Sequence, residues 1–89
     1  MTVSIDIESQ GRHQYVVRLR DDDELCESWF NLTPTLLEHL GVDADDEPRA
    51  GQRTAEFLVD RQGVRDFPEI VELEDVIATY EDFAAFMSQ

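Results

Sequence analysis

Polar and apolar residues alternate one for one at the start of the chain. Val3, Ile5 and Ile7 fall on one side, and Thr2, Ser4, Asp6 and Glu8 on the other. This is the period-two pattern of a strand with one face in water. "HQYVVRLR" repeats it: Tyr15, Val17 and Leu19 oppose Gln14, Arg18 and Arg20, with Val16 the one apolar residue on the polar side. Facing residues of a hairpin share a face, so their numbers sum to an even value and a regular two-residue turn is excluded. A three-residue loop, Ser9-Gln10-Gly11, would put Gly11 in the left-handed region. It would also set Glu8 opposite Arg12, Ile5 opposite Tyr15 and Val3 opposite Val17. "DDDE" interrupts the pattern, and "LCESWFNL" resumes it with the β-propensity of Trp29 and Phe30, predicting a third antiparallel strand near 26–32.

Helical spacing then takes over. Thr33 suits an N-cap and Pro34 the first helical position; Leu36, Leu37 and Leu40 make one stripe, and Gly41 ends it. From Pro48 to Gln62 the polar face carries Arg49, Arg53, Glu56 and Asp60, while Ala55, Leu58 and Val59 turn inward and Gly63 stops the helix. Asp66 and Glu69 are spaced as a capping box with Pro68 in the first turn. Ile70, Leu73, Ile77, Tyr80, Ala84 and Met87 then recur at three and four, which predicts a last helix through the end of the chain. "EIVEL", residues 69–73, reads equally as a short extended piece with the helix starting near Glu74. The expected fold is α+β: an N-terminal antiparallel hairpin or three-stranded sheet with three helices packed on one face. The 89 residues make one small globular domain, with no repeat or low-complexity segment.

Charge changes the picture of the surroundings more than of the fold. Acids number 21 and bases 7, every base is arginine, and the net charge is −14. A chain this acidic repels itself unless counterions screen it. Acid in excess with no lysine resembles the composition of salt-in halophile proteins; a GC-rich genome, in which arginine codons displace lysine, is the other source of the pattern. The acids fall in blocks, at 21–48 and from 66 onward, and the arginines lie outside them, three in 1–20 and four in 49–65. Apolar runs are too short to cross a membrane, and "MTVSIDIESQ" has neither a basic n-region nor an apolar h-region, so no membrane or secretory segment is expected. A lone Cys26 makes no internal disulfide, which fits a cytoplasmic protein.

Candidate chemistry fails at each specific test. An EF-hand loop starting at Asp43 would place Asp43, Asp45 and Glu47 as ligands, but its required glycine is Pro48 and its closing glutamate is Thr54. The acidic run 43–47 therefore reads as a solvated linker, with monovalent cations acting only as screening ions. Cys26, His13 and His39 show no paired zinc spacing. Cys26 reads as a small buried hydrophobe whose acidic neighbours raise its pKa, the wrong direction for a nucleophile. The four glycines are isolated, so there is no phosphate loop. No catalytic residue, cofactor or metal is expected. Nucleic acid is disfavoured by charge, and the second helix of a would-be helix–turn–helix carries only acids.

Two features exceed a plain core. Arg18, Arg20, Arg49 and Arg53 would form a basic patch if the outer face of the hairpin lay near the middle helix; otherwise they neutralise surrounding carboxylates. The last helix is apolar beyond one face, with Phe86 off the stripe, which marks Phe83, Phe86 and Met87 as a candidate protein-interaction surface. The expected function is a non-catalytic interaction or accessory domain adapted to high salt, binding a protein partner or itself. The alternative is an acidic decoy that imitates nucleic-acid charge on a basic protein surface; a small enzyme comes third.

Overall fold

In the computed structural model, which describes residues 3–87, the alternating N-terminal half forms a three-stranded antiparallel meander: β1 (Ser4–Gly11), β2 (Gln14–Asp21) and β3 (Glu24–Asn31). The polypeptide then passes through α1 (Pro34–His39), a 3₁₀ turn at Ala44–Asp46 and α2 (Glu47–Gln62), and returns as β4 (Ile70–Glu72). β4 pairs in parallel with β3, so the sheet order is β1-β2-β3-β4. Two short helices, α3 (Leu73–Thr79) and α4 (Phe83–Met87), complete an α+β fold.

Inward-facing Tyr15, Val17, Leu19 and Phe30 pack in one cluster with Ala55, Phe57 and Leu58 of α2. Burying each large side chain contributes about 1.5–3 kcal/mol. α2 approaches the sheet closely at Gly51, where a Cβ would lie 2.6 Å from Ile7 Cδ1 and the isoleucine would have to shift. α2 ends at Gly63 (φ 75°), as its sequence predicts.

Four expectations about local structure are corrected. The parity rule for the first hairpin holds, with Ile5 opposite Leu19 and Ile7 opposite Val17, but the register is four residues longer than a Ser9-Gln10-Gly11 loop gives. A shift between Ser9 and Gly11 admits one extra residue, and a bulge lets a two-residue turn close a hairpin that parity would otherwise forbid. Arg12 and His13 form that turn, both with positive φ (53° and 66°). "DDDE" is likewise a tight turn rather than a break: Asp21 faces Glu24, and Asp22 adopts φ 52°.

The capping box at Asp66 does not start a helix. Trp29 donates its backbone N–H to the Glu69 carbonyl at 2.8 Å, and Ser28 Oγ donates to the Pro68 carbonyl at 2.7 Å. The open edge of β3 thus takes this segment as a strand, and the extended reading of 69–73 is the correct one. Nor is the C-terminal helix continuous. Tyr80 is extended (φ −117°, ψ 108°) and separates α3 from α4. The break has a packing cause: the rings of Tyr80, Phe83 and Phe86 all lie within 5.0–5.4 Å of the Phe57 centroid. A straight helix would spread residues 80 and 86 about 9 Å along its axis, too far to gather round one ring.

Candidate interaction surface

Alternation along the strands sends half of the sheet's side chains away from the helices, and the register sorts them into rows. Ser4, Arg20 and Leu25 form one row; Asp6, Arg18 and Glu27 the next; then Glu8, Val16, Trp29 and Ile70; and finally Gln14, Asn31 and Glu72. No helix covers this face, because the apolar cluster lies on the other side. Among the described residues the exposed large hydrophobics are Leu25 (70%), Trp29 (45%) and Ile70 (63%), and all three belong to these rows. Trp29 and Ile70 are direct neighbours across β3 and β4. Val16, beside Trp29, is 4% exposed although it lies outside the core cluster, so the open face has a small apolar centre of its own.

The charges of the face are organised around Arg18. Its Nη1 donates to Glu8 at 3.3 Å and its Nε to Glu27 at 3.1 Å, and these two carboxylates raise the guanidinium pKa further. Arg20, by contrast, makes no ion pair among the described residues. It borders a shallow depression of about 410 Å³ with Ser4, Asp6, Arg18 and Leu25. On the last row Asn31 donates to Glu72 at 2.9 Å.

The residues marked from sequence are distributed differently. Phe83 (0% exposed) and Met87 (7%) are core side chains. Phe86 is half-buried, 5.1 Å from the Phe57 ring centroid and 4.8 Å from the Arg53 guanidinium. The surplus of apolar residues in this segment is absorbed by the break at Tyr80, so the premise that these rings are exposed is corrected. The four arginines do not meet either. Arg18 and Arg20 point from the open face, whereas Arg49 and Arg53 stand on α2 behind the sheet, beside a depression of about 210 Å³ that Met87 also lines. Arg53 is drawn into packing, donating to the Phe86 carbonyl at 2.6 Å.

The linker holds a further surprise. Asp43, Asp45 and Asp46 are exposed, but Glu47 is buried. Its carboxylate accepts from Tyr15 Oη at 2.9 Å and lies 2.8 Å from His13 Nδ1. The acidic run is therefore a solvated linker only as far as Asp46, and His13 is tied to α2 rather than free on the surface. Burial and the adjacent Glu47 push the Tyr15 phenol up to about 12. A carboxylate in the first turn of a helix also meets the positive end of the helix dipole. The group pins the first hairpin to the start of α2, and the half-exposed imidazole is its solvent-facing member. Cys26 is partly buried, and burial, with Glu69 nearby, raises its thiol pKa, which keeps it a poor nucleophile. Among the described residues no three His, Cys, Asp or Glu side chains gather to hold a metal ion, and no helix is long and apolar enough to cross a membrane.

Trp29 was legible from sequence as a strand former, not as a surface. The signal was the alternation within "LCESWFN", where Leu25, Glu27 and Trp29 share a side opposite Cys26, Ser28 and Phe30. No protein-family model matches this chain, and searches of curated proteins and of solved structures find no significant match.

Proposed function

We propose that the protein is a non-catalytic interaction domain, adapted to high salt and cytoplasmic, that binds another protein surface through the helix-free face of its sheet. The observation that carries this reading is that Trp29 and Ile70 are exposed side by side on a face that the fold leaves open, with Leu25 exposed on the same face beyond the Arg18–Glu27 row. Scattered exposed hydrophobics are ordinary, but an adjacent pair that includes a tryptophan and is rimmed by charge is characteristic of interface centres. The rows also interleave Arg18, Arg20 and apolar side chains with the acids. That arrangement favours an interaction surface over an unbroken acidic imitation of nucleic-acid phosphate. The acids elsewhere serve the solvent: thermal stability is expected to climb continuously as KCl rises from about 0.1 M into the molar range, where the Debye length falls to about 3 Å.

The test is a pair of serine substitutions, Trp29→Ser and Ile70→Ser, compared with wild type in high salt. Both variants are expected to stay folded and to lose partner capture, and Ile70→Ser, which keeps the tryptophan, to lose the shift of Trp29 fluorescence that accompanies it. Capture that survives both substitutions would sink the proposal.

A further inference from the structure

The open face is self-complementary at its centre, and this points to what occupies it. In the antiparallel β2–β3 pair two outward register pairs match in character, Val16 with Trp29 and Arg18 with Glu27, while Arg20 faces Leu25. Consider a two-fold axis parallel to the strands, midway between β2 and β3, in the plane between two stacked sheets. It exchanges β2 with β3, and β1 with β4, while leaving each row level with itself. Val16 then lies over Trp29 of the second copy, Arg18 over its Glu27 and Arg20 over its Leu25, and Ile70 lies over Glu8 and beside Val16. Every contact occurs twice, as an isologous interface requires. We propose that the occupant of this face is a second copy of the same chain, docked sheet on sheet about that axis; the proposal rests on the reading of the face as an interaction surface.

Charge separates this occupant from a basic protein partner. With 21 acids in the chain, carboxylates border any surface patch, so they give a basic partner no preference for this face. Arginines are scarce, and two of the seven stand here, Arg20 without an ion pair among the described residues. Of the two, Arg18 answers the Glu27 that the same face of the second copy presents. Two copies still bring like net charge together, so the dimer needs screening that a basic partner would not. Area sets its strength. Three strands of eight residues and one of three, about 4.8 Å apart and about 3.3 Å per residue, give a face of roughly 430 Å² per copy. The total of roughly 860 Å² lies in the range of weak, transient interfaces, so a weak, concentration-dependent dimer is expected. Sheets packed face to face align within about 30°, which keeps the central rows in contact while the corners splay.

Sedimentation velocity on the full chain across a KCl series is the test. Dimer is expected to increase with salt and to dissociate as KCl falls to about 0.1 M, since screening is what permits it. Trp29→Ser with Ile70→Ser should weaken dimerisation at least tenfold at an unchanged melting temperature. Arg18→Glu and Glu27→Arg each place like charges across the axis and should be monomeric alone, while an equimolar mixture of the two should form a heterodimer. Only contact between copies rescues by mixing. A mixture no more associated than its components overturns the proposal, as does dimerisation indifferent to Trp29 and Ile70. A wild-type chain that stays monomeric, yet binds an arginine-rich peptide through Trp29 in low salt, overturns the second copy and leaves the interaction reading standing. A monomeric chain whose Trp29 responds to no such peptide overturns both.

Discussion

The two faces of one sheet receive the same alternating sequence and use it oppositely. Inward, Val17, Leu19 and Phe30 are fully buried and closed over by α2, with Phe67 stacked on Phe30 at 6.1 Å. Outward, Ile70 stands largely in water and Trp29 about half so, beside ion pairs that solvent screens. The inner face cannot change without the fold, and the outer can. An apolar residue that the fold does not need is the one whose presence calls for another explanation.

That contrast is most easily broken at Phe57, the ring around which Tyr80, Phe83 and Phe86 gather. Phe57→Ala is expected to cost about 3–5 kcal/mol, the range for deleting a buried phenylalanine. For a small domain that is a large share of the whole stability. Urea denaturation would measure it; a loss under about 1 kcal/mol would mean the aromatic cluster collapses round the gap.

The Tyr15–Glu47–His13 group makes the second test, because it ties the inner face to α2 through a proton. The Tyr15 phenol has its folded pKa raised to about 12 from an ordinary value of 10.0. Over that interval the folded state holds a proton that the unfolded state has released, so stability falls as pH rises. The contribution is fully present below pH 10 and disappears as pH passes 12; it amounts to roughly 3 kcal/mol, at 1.36 kcal/mol per pKa unit. Tyr15→Phe is expected to remove this alkaline slope. At neutral pH it should cost about 1–3 kcal/mol, because the buried Glu47 carboxylate loses a donor. A slope that persists in Tyr15→Phe would assign it to another group.

Phe86 lies between the two regimes. Its ring packs on Phe57 and under Arg53 but is only half-buried. Phe86→Ala is therefore expected to lower stability by about 2 kcal/mol, below the range for a fully buried ring, while association in high salt stays as in wild type. Association lost together with stability would return this segment to the interaction surface.

How far such contrasts could be read in advance depended on whether the cause was local. The alternation of the first three strands, the Pro34 start of α1 and the Gly63 stop of α2 are written in residue type and spacing, and they stand. The first turn was misjudged because Arg12 and His13 take left-handed backbone without being Gly or Asn; Gly11 is left-handed as its type suggests (φ 84°), but it closes the bulge rather than the loop. β4 is three residues long and owes its strand character to the free edge of β3 rather than to its own pattern. The break at Tyr80 contains no Gly or Pro; it follows from three rings converging on Phe57, a contact across distant sequence. The exposure of the last segment was misjudged for the same reason. Phe83, Phe86 and Met87 looked surplus only on a straight helix, while Trp29 and Ile70 became neighbours only once β4 had joined the sheet.

The smallest expected effect is the most informative about the open face. Ile70 is 63% exposed, on the outward side of a strand whose inward residue, Val71, is 3% exposed. Ile70→Ser removes a β-branched side chain from a three-residue strand but leaves the backbone pairing with Trp29 intact. Lost propensity and lost cross-strand contact with Trp29 each contribute a few tenths of a kcal/mol, and relief of exposed apolar surface does not oppose them, because that surface is in water in both the folded and unfolded chain. The net cost should therefore stay within about 0.5 kcal/mol, as at surface positions generally. Val71→Ser, one residue away, should cost several times more. Matched urea denaturations of the two variants measure the ratio. A ratio near one would mean that Ile70 belongs to the stability of the monomer, and the open face would lose its claim to be more than the outside of a core.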